Sequence, residues 1–311
     1  MVQVWRPVRY PVVDPRNYGA KCDGTTDDTA AFTAAIASLG SSARRRIALP
    51  PTAEGLLKIT STLQINTRGL VIEGERGSRP AQEGGSQISY TGTGPLFQLD
   101  EDNGNPHSDA DYDGVQGFTL KGVELRHTAP ATALGNGQGN YKAGSYGIRD
   151  WRGGDIHLER VRFENFEYGF WGVQSDINRF INVEAFYNNV ACYLGPRSDQ
   201  AMLTGWYAFY NDTVLHLDGV LVTRVRDGQF VGNGTNTLYP IKIGTSWSRG
   251  SQGIVFDGTW WEHFQGYNGV VPAFVSIGDG DSVASTDIAF RDNWISCDAQ
   301  TETRRVTYFV E

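Results

Sequence analysis

Acidic side chains stand beside aromatic ones at two places in the second half of this 311-residue sequence. At one of them, Asp257, Trp261, Glu262 and His263 follow one another closely. Paired carboxyl groups can cleave a glycosidic bond, at separations of about 5–5.5 Å with retention or roughly 6.5–9.5 Å with inversion. We expect Glu262 to be the general acid, because an aromatic environment raises a carboxyl pKa. Asp257 is then a candidate for the base or nucleophile.

The two adjacent tryptophans in this run differ in their expected orientation. Trp260 aligns with Trp294 and is predicted to lie in the core, which leaves Trp261 facing solvent or a loop. An exposed Trp face stacks on sugar CH groups, and a His exchanges protons near neutral pH. Trp261 and His263 are therefore predicted to bind substrate. The alternative is that Trp261 packs under an insertion at residues 264–284.

The second acidic cluster depends on how the chain repeats. If consecutive repeats stack about 4.8 Å apart, Glu184 is followed in the same outward column by Tyr207, with Asp227 in or near that column one repeat later. Glu184 and Asp227 are then further catalytic candidates, and Tyr207 and Tyr210 are predicted to contact substrate. The alternative is that outward acids only solvate the surface. The residues predicted to point inward beside this column are Val183, Trp206 and Val225.

A third group of acids has the spacing of metal ligands. Asp109, Asp111 and Asp113 match the first half of a calcium loop, in which alternating carboxylates converge on the cation. The second half does not match, because Leu120 stands where a bidentate Glu is needed. A solvated acidic loop is the alternative. We expect no required cofactor, and leave calcium open at this loop.

Basic residues also recur along the repeats, and they would suit a reaction other than hydrolysis by paired carboxyl groups. A polysaccharide lyase removes the proton next to a uronic acid carboxylate, and it needs a base together with a group that neutralises charge. Arginines could supply that neutralisation, although such residues commonly pair with neighbouring acids. The recurring arginines are Arg160, Arg162, Arg179, Arg224 and Arg226.

Composition excludes several classes of protein. Lys plus Arg is 27 and Asp plus Glu is 35, so the net charge is −8, which does not favour binding to nucleic acid. No apolar run approaches the roughly 20 residues that span a bilayer. The three cysteines are too few and too far apart for a disulfide framework. The N-terminus shows no secretory signal.

Repeated sequence predicts the architecture that must position these residues. A Phe-x-Asn motif begins at Phe163, Phe186 and Phe209, at spacings of 23 residues, and a variant begins at Phe230. A longer pattern beginning at Ile254 recurs 34 residues later. Units of this size with short alternating strands and Gly or Asn turns are typical of a parallel β-solenoid. A β-sandwich is the alternative, but it does not explain equally spaced tripeptides.

One segment near the N-terminus predicts a helix. Phe32, Ala35, Ile36 and Leu39 follow helical spacing, and Gly40 is a plausible end. The acids just before it are predicted to form a turn and a helix cap rather than an active site. These acids are Asp23, Asp27 and Asp28.

Residues 17–32, 34–36 and 47–51 resemble the N-terminal segment of pectate-lyase-superfamily β-helices. That segment usually reads FGAxGDGxTDDTxAFxxAI, followed by a strand that ends in Pro; Tyr18 and Cys22 are mild departures. The resemblance implies a single-stranded right-handed parallel β-helix whose end is closed by the helix. It also implies similarity to phage tailspike depolymerases, which usually form homotrimers and act on bacterial surface polysaccharide.

From these observations we expect an all-β protein with a short N-terminal capping helix. Residues 1–45 form the N-terminal segment and helix, and residues 46–311 form the β-helix. The leading hypothesis is a tailspike-type endoglycosidase that hydrolyses a capsular or O-antigen glycan. The alternatives are a polysaccharide lyase and a non-catalytic glycan-binding or structural tail protein. The expected location is a virion tail or the extracellular space, with no nucleic acid partner and no membrane insertion.

Overall fold

The computed structural model describes residues 12–40, 45–51, 55–75, 85–99, 115–134, 139–231, 241–244, 250–262, 275–277 and 285–296. Twenty-eight short strands, one α-helix and one 3-10 helix (Pro15–Tyr18) make up the regular structure of these residues. In the described part of the chain, no helix is both long enough and apolar enough to cross a bilayer.

The strands are numbered in chain order. They are β1 (Val12–Val13), β2 (Arg45–Ala48), β3 (Leu57–Ile59), β4 (Leu63–Gln64), β5 (Leu70–Glu73), β6 (Ser86–Tyr90), β7 (Gly94–Leu99), β8 (Thr119–Lys121), β9 (Val123–His127), β10 (Thr132–Ala133), β11 (Asn140–Trp151), β12 (His157–Glu159), β13 (Arg162–Glu164), β14 (Phe166–Val173), β15 (Arg179–Ile181), β16 (Glu184–Phe186), β17 (Val190–Leu194), β18 (Met202–Thr204), β19 (Tyr207–Phe209), β20 (Thr213–Asp218), β21 (Arg224–Arg226), β22 (Gln229–Val231), β23 (Ile241–Gly244), β24 (Gln252–Asp257), β25 (Trp260–Glu262), β26 (Val275–Ile277), β27 (Thr286–Arg291) and β28 (Trp294–Ser296).

Three parallel sheets run side by side along the molecule. The first sheet has the order β1-β2-β5-β8-β12-β15-β18-β21-β24-β27, and the second has the order β3-β6-β9-β13-β16-β19-β22-β25-β28. The third has the order β4-β7-β11-β14-β17-β20-β23-β26, and β10 pairs antiparallel with β11 at its margin. Each turn of the chain visits the first, second and third sheet in succession. This is the single-stranded right-handed parallel β-helix that the sequence predicted.

The core is built from columns of apolar side chains, one from each turn. A single turn cannot bury its inward face alone, so the stacked turns share one continuous core. Val183, Trp206 and Val225 are all fully buried, as predicted. The inward column of the second sheet consists of Leu57, Ile88, Leu125, Phe163, Ala185, Ala208, Phe230 and Trp261.

The Phe-x-Asn repeat is in register for only two of its copies. Phe186 pairs with Phe209, but Phe163 pairs with Ala185 and Phe230 pairs with Ala208. Phe163 and Phe230 therefore lie in the core column, one residue away from the position of the other two phenylalanines. Aligning the turns on this repeat is therefore wrong at these copies, because the turns differ in length by one residue.

Stacked asparagines hold the corner between the second and third sheets. The Asn188 side chain accepts a hydrogen bond from the Phe166 backbone N–H, and Asn211 accepts one from the Asn188 backbone N–H, both at 2.9 Å. The Asn211 amide also donates to the carbonyl of Ala185 at 2.8 Å. These contacts satisfy buried backbone groups that the corner would otherwise leave unpaired.

The α-helix, α1 (Thr29–Ser38), covers the N-terminal end of the core. Its predicted apolar face is buried, and the Phe32 ring lies 6.4 Å from the Phe97 ring. Asp27 accepts from the Thr29 backbone N–H at 3.0 Å, and Asp23 accepts from the Thr25 backbone N–H at 2.8 Å. These acids therefore hold the turn and the helix start, as predicted.

Candidate functional site

The outer face of the second sheet carries a column that changes from polar to aromatic along the solenoid. Pairing is continuous from β6 to β28, so each member lies one turn beyond the previous one. Glu184 is followed by Tyr207 in this column, as predicted. The full column is Gln87, Glu124, Arg162, Glu184, Tyr207, Gln229, Trp260 and Trp294.

Three carboxylates surround a buried arginine in the polar half of this column. Glu124 and Glu184 lie on either side of Arg162, and Glu164 lies two residues further along the strand of Arg162. Arg162 is only 8% exposed, and its Nη2 lies 2.7 Å from Oε2 of Glu164. Nε of Arg126 lies 3.3 Å from the other Glu164 oxygen. We call Glu124, Arg162, Glu164 and Glu184 the glutamate cluster.

Within the glutamate cluster, Glu124 has the environment of a proton donor. Its side chain is half-buried, and Oε1 accepts a hydrogen bond from Nε2 of Gln87 at 2.7 Å. Burial raises the pKa of the Glu124 carboxyl above its ordinary value, and the negative charge of Glu164 adds to this while Arg162 opposes it. A carboxyl that holds its proton to higher pH is suited to general acid catalysis.

Glu124 and Glu184 are separated by two turns of the solenoid. At about 4.8 Å per strand, their backbones lie about 9.6 Å apart. Carboxyl pairs separated by roughly 6.5–9.5 Å leave room for a water molecule and cleave glycosides with inversion. The Arg162 guanidinium lies 4.0 Å from the centre of the Phe186 ring, so its side chain leans towards Phe186. The two-turn separation of the backbones is thus near the upper end of the range for an inverting pair.

Aromatic rings adjoin the glutamate cluster on the following turns. Tyr187 and Tyr210 stack with their ring centres 5.3 Å apart and an angle of 6° between planes. The Phe186 ring lies 5.7 Å from Tyr207 and 5.9 Å from Phe209. We call these five side chains the aromatic flank. Because sugar rings present apolar CH faces, the aromatic flank can hold a glycan next to the carboxylates.

The predicted orientations of Trp260 and Trp261 are wrong. Trp261 is 3% exposed and packs against the Phe230 ring at 5.0 Å, whereas Trp260 is 46% exposed. The turn before them bends at Gly258, whose φ is 61°, so that Trp260 enters the outward column and Trp261 the inward one. Trp261 therefore cannot stack on substrate, and Trp294 is also exposed rather than buried.

The structure does not bring the other predicted acids to this site. Asp227 lies in the turn before β22, with φ of 52°, and Gln229 occupies the column position after Tyr207. Asp227 therefore lies next to the Glu184 column, two residues before Gln229, rather than in it. Asp257 lies on the first sheet, in register with Arg226 and Arg291.

The remaining predicted residues are only partly described. Glu262 pairs in register with Val231 and Ser296, two residues along the strand from Trp260. His263 lies outside the described residues, as does the predicted calcium loop of Asp109, Asp111 and Asp113. Elsewhere in the described ranges, no three His, Cys, Asp or Glu side chains converge as metal ligands.

An aromatic surface on the third sheet was not predicted from the sequence. Tyr146 stacks on Tyr168 with ring centres 5.1 Å apart, and Trp151 stacks on Trp171 at 5.5 Å. Tyr193 continues the stack from Trp171 at 5.8 Å. All five rings are half-buried. The density of Tyr and Trp along β11 and β14 is the signal that could have revealed this surface.

Charged groups border the third-sheet aromatic surface. The Arg149 guanidinium lies 5.0 Å from the Trp171 ring centre. The Tyr193 hydroxyl donates to Oδ2 of the buried Asp218 at 3.3 Å, and burial together with this carboxylate raises the pKa of Tyr193. His216 lies edge-on to Tyr193 at 4.9 Å. This face therefore offers ring stacking and polar groups together.

The fold defines the chain as a right-handed parallel β-helix protein, which confirms the fold implied by the resemblance of its N-terminal segment. A scan of family models and a search of curated proteins find no match. Among solved structures, the chain is similar to PfbA, a surface adhesin of Streptococcus pneumoniae, with a TM-score of 0.61 and 9% identity over 95% of this chain and 80% of that one.

Two phage proteins are similar in the same way. The N-terminal fragment of gene product 12 of bacteriophage Phi29 gives a TM-score of 0.57 at 13% identity, over 93% of this chain and 53% of that one. The phiAB6 tailspike was solved with oligosaccharides of Acinetobacter baumannii surface polysaccharide. It gives a TM-score of 0.53 at 17% identity, over 92% of this chain and 47% of that one. The chain thus spans about half the length of these phage proteins, and such identities establish the fold alone.

Proposed function

We propose that the protein is a polysaccharide depolymerase of the tailspike type, which hydrolyses glycosidic bonds of a bacterial capsular or O-antigen glycan. The observation that carries this proposal is the pair Glu124 and Glu184, placed two turns apart on one outer column beside the aromatic flank. The similarity to the phiAB6 tailspike, which was solved with surface oligosaccharides, supports the choice of substrate class.

In the proposed reaction, the two carboxyl groups have separate roles. Glu124 gives its proton to the glycosidic oxygen as the bond from that oxygen to the anomeric carbon breaks. Glu184 takes a proton from the water whose oxygen attacks the same carbon from the opposite side. The products are a new reducing end and a free hydroxyl. Tyr207 and the other rings of the aromatic flank hold the chain in place.

The test is release of reducing ends from a panel of bacterial capsular and O-antigen polysaccharides. We expect Glu124→Gln and Glu184→Gln each to lower turnover by roughly 100- to 10,000-fold. Glu159→Gln is the matched control, because Glu159 is paired with Lys121 at 3.0 Å on the first sheet. Full turnover in both variants would contradict the site. Products that absorb in the ultraviolet through a new C=C bond would instead identify a lyase.

Three further proposals can be tested separately. Calcium at Asp109, Asp111 and Asp113 predicts that a chelator lowers turnover, and unchanged turnover would exclude a required ion there.

A homotrimer predicts three times the chain mass in light scattering. Location in a virion tail predicts that the protein is found in purified particles.

A second candidate function is glycan binding without cleavage. The third-sheet aromatic surface favours it, because stacked rings there lie on a different sheet from the glutamate cluster. If no reducing ends are released, and if the protein binds glycan in a way that Trp171→Ala weakens, glycan binding is supported over hydrolysis.

A further inference from the structure

The outer face of the first sheet contains a cavity of about 290 Å³ near its C-terminal end, lined by basic side chains. This volume is close to the lower limit of about 300 Å³ for ligand pockets. We call it the arginine cavity. It is lined by Arg224, Arg226, Val255, Asp257 and Arg291.

Strand register brings the three arginines together. Arg226, Asp257 and Arg291 lie in one column on consecutive turns, so the two arginines are about 9.6 Å apart at the backbone. Arg224 lies two residues before Arg226 on the same strand, on the same face and about 6.6 Å away. All three arginines are exposed. Their guanidinium groups can therefore reach a single small ligand.

Positive charge in the arginine cavity is not balanced. Nε of Arg226 lies 3.6 Å from Oδ2 of Asp257. Among the described residues, no acidic side chain pairs with Arg224 or Arg291. Three positive charges thus face one negative charge, in a chain whose net charge is −8.

Three other basic residues described on the same outer face are paired. Arg179, which lies two turns before Arg224 in the same column, is 3.7 Å from Asp155, and Lys121 is 3.0 Å from Glu159. Arg46 is paired with Glu73. The uncompensated charge is therefore local to the arginine cavity, and this favours an anion as its occupant.

We propose that the arginine cavity binds the carboxylate of an acidic sugar residue. The inference rests on the proposed function, because the substrate is then a glycan that can carry such residues. A guanidinium group binds a carboxylate through two parallel N–H···O bonds, and arginine serves such planar recognition better than lysine. The substrate class becomes an anionic polysaccharide, contacted on the first sheet as well as the second.

The experiment measures binding of galacturonate, glucuronate and N-acetylneuraminate by NMR titration, and of a galacturonate oligosaccharide with its carboxyl-reduced neutral form. The protein is the full chain carrying Glu124→Gln, which prevents cleavage. We expect Arg224→Gln and Arg291→Gln each to weaken binding of the acidic probes at least tenfold. Arg179→Gln, the matched control from the same column, is expected to change it less than twofold. Unchanged melting temperatures exclude misfolding.

Three results would overturn the proposal. They are equal affinity for the acidic and the carboxyl-reduced oligosaccharide, no binding of any of the three acidic sugars, and equal losses in Arg179→Gln and Arg224→Gln. Displacement by inorganic phosphate at the same concentration would also overturn it, in favour of a general anion site. Reducing-end release by the unmodified protein is measured in parallel, so that failure of the proposed function is seen separately from failure at the arginine cavity.

Discussion

The glutamate cluster and the arginine cavity combine the same two kinds of side chain on different sheets of one solenoid. In the glutamate cluster the arginine is enclosed, since the side chain of Arg162 is 10% exposed and its partner Glu164 is 7% exposed. In the arginine cavity the corresponding values are 58% for Arg226 and 34% for Asp257. Burial, rather than residue type, distinguishes the two sites.

This difference separates a site built around a buried ion pair from one that is open to a ligand. A buried ion pair is costly to break, because removing one partner leaves a charge without compensation in a dry environment. An exposed pair contributes little to stability, because water and salt screen it. The glutamate cluster can therefore hold catalytic groups in fixed positions, whereas the arginine cavity keeps charge available for binding.

The largest expected effect is the loss of Arg162. Arg162→Ala leaves the buried Glu164 carboxylate with only the exposed Arg126, so we expect the free energy of unfolding to fall by about 3–5 kcal/mol. Urea unfolding followed by circular dichroism measures this. Arg226→Ala is the control from the arginine cavity, and a loss of equal size there would remove the distinction between the two sites.

A smaller effect on stability is expected from a change in pH, and its sign is opposite for two glutamates. Burial raises the pKa of Glu124 above 4.5, so the folded state binds this proton more tightly than the unfolded state. Stability is therefore lost as pH rises through the pKa of Glu124 in the folded protein. A hydrogen bond from Lys121 lowers the pKa of Glu159, whose contribution is instead lost as pH falls through its own pKa.

The two substitutions to glutamine test these signs. Relative to the unmodified protein, Glu124→Gln should gain stability as pH rises above about 4.5, and Glu159→Gln should gain it as pH falls below that value. Urea midpoints at a series of pH values provide the measurement. Parallel curves for the two variants would show that Glu124 is not desolvated.

Features set by local sequence could be predicted. The turn at Asp23, the cap at Asp27 and the helix face that includes Phe32 depend on neighbours within one or two turns of chain. The register from Ile254 to Ile288 was also visible, because the same pattern occurs at both places. These features identified the fold, and the repeat that begins at Phe186 and Phe209 placed Glu184 next to Tyr207.

The parts that could not be predicted depend on the exact number of residues in each turn. A shift of one residue moves a side chain from the core to the surface, and this is why Trp260 and Trp261 were interchanged. Glu124 was missed for a related reason. It pairs with Arg162 across 38 residues that include the hairpin of β10 and β11, so spacing alone could not align them.

The smallest effect is expected at the edge of the arginine cavity. Arg224→Ala should change the free energy of unfolding by less than about 0.5 kcal/mol, because Arg224 is exposed and has two like charges beside it. This small change in the free energy of unfolding should decrease with added salt, since the screening length falls from about 10 Å at 0.1 M to about 3 Å at 1 M. Urea midpoints at the two salt concentrations measure both quantities. A loss above about 1 kcal/mol that persists at 1 M salt would instead place Arg224 in an internal network like that of Arg162, and would leave the arginine cavity with less charge for a ligand.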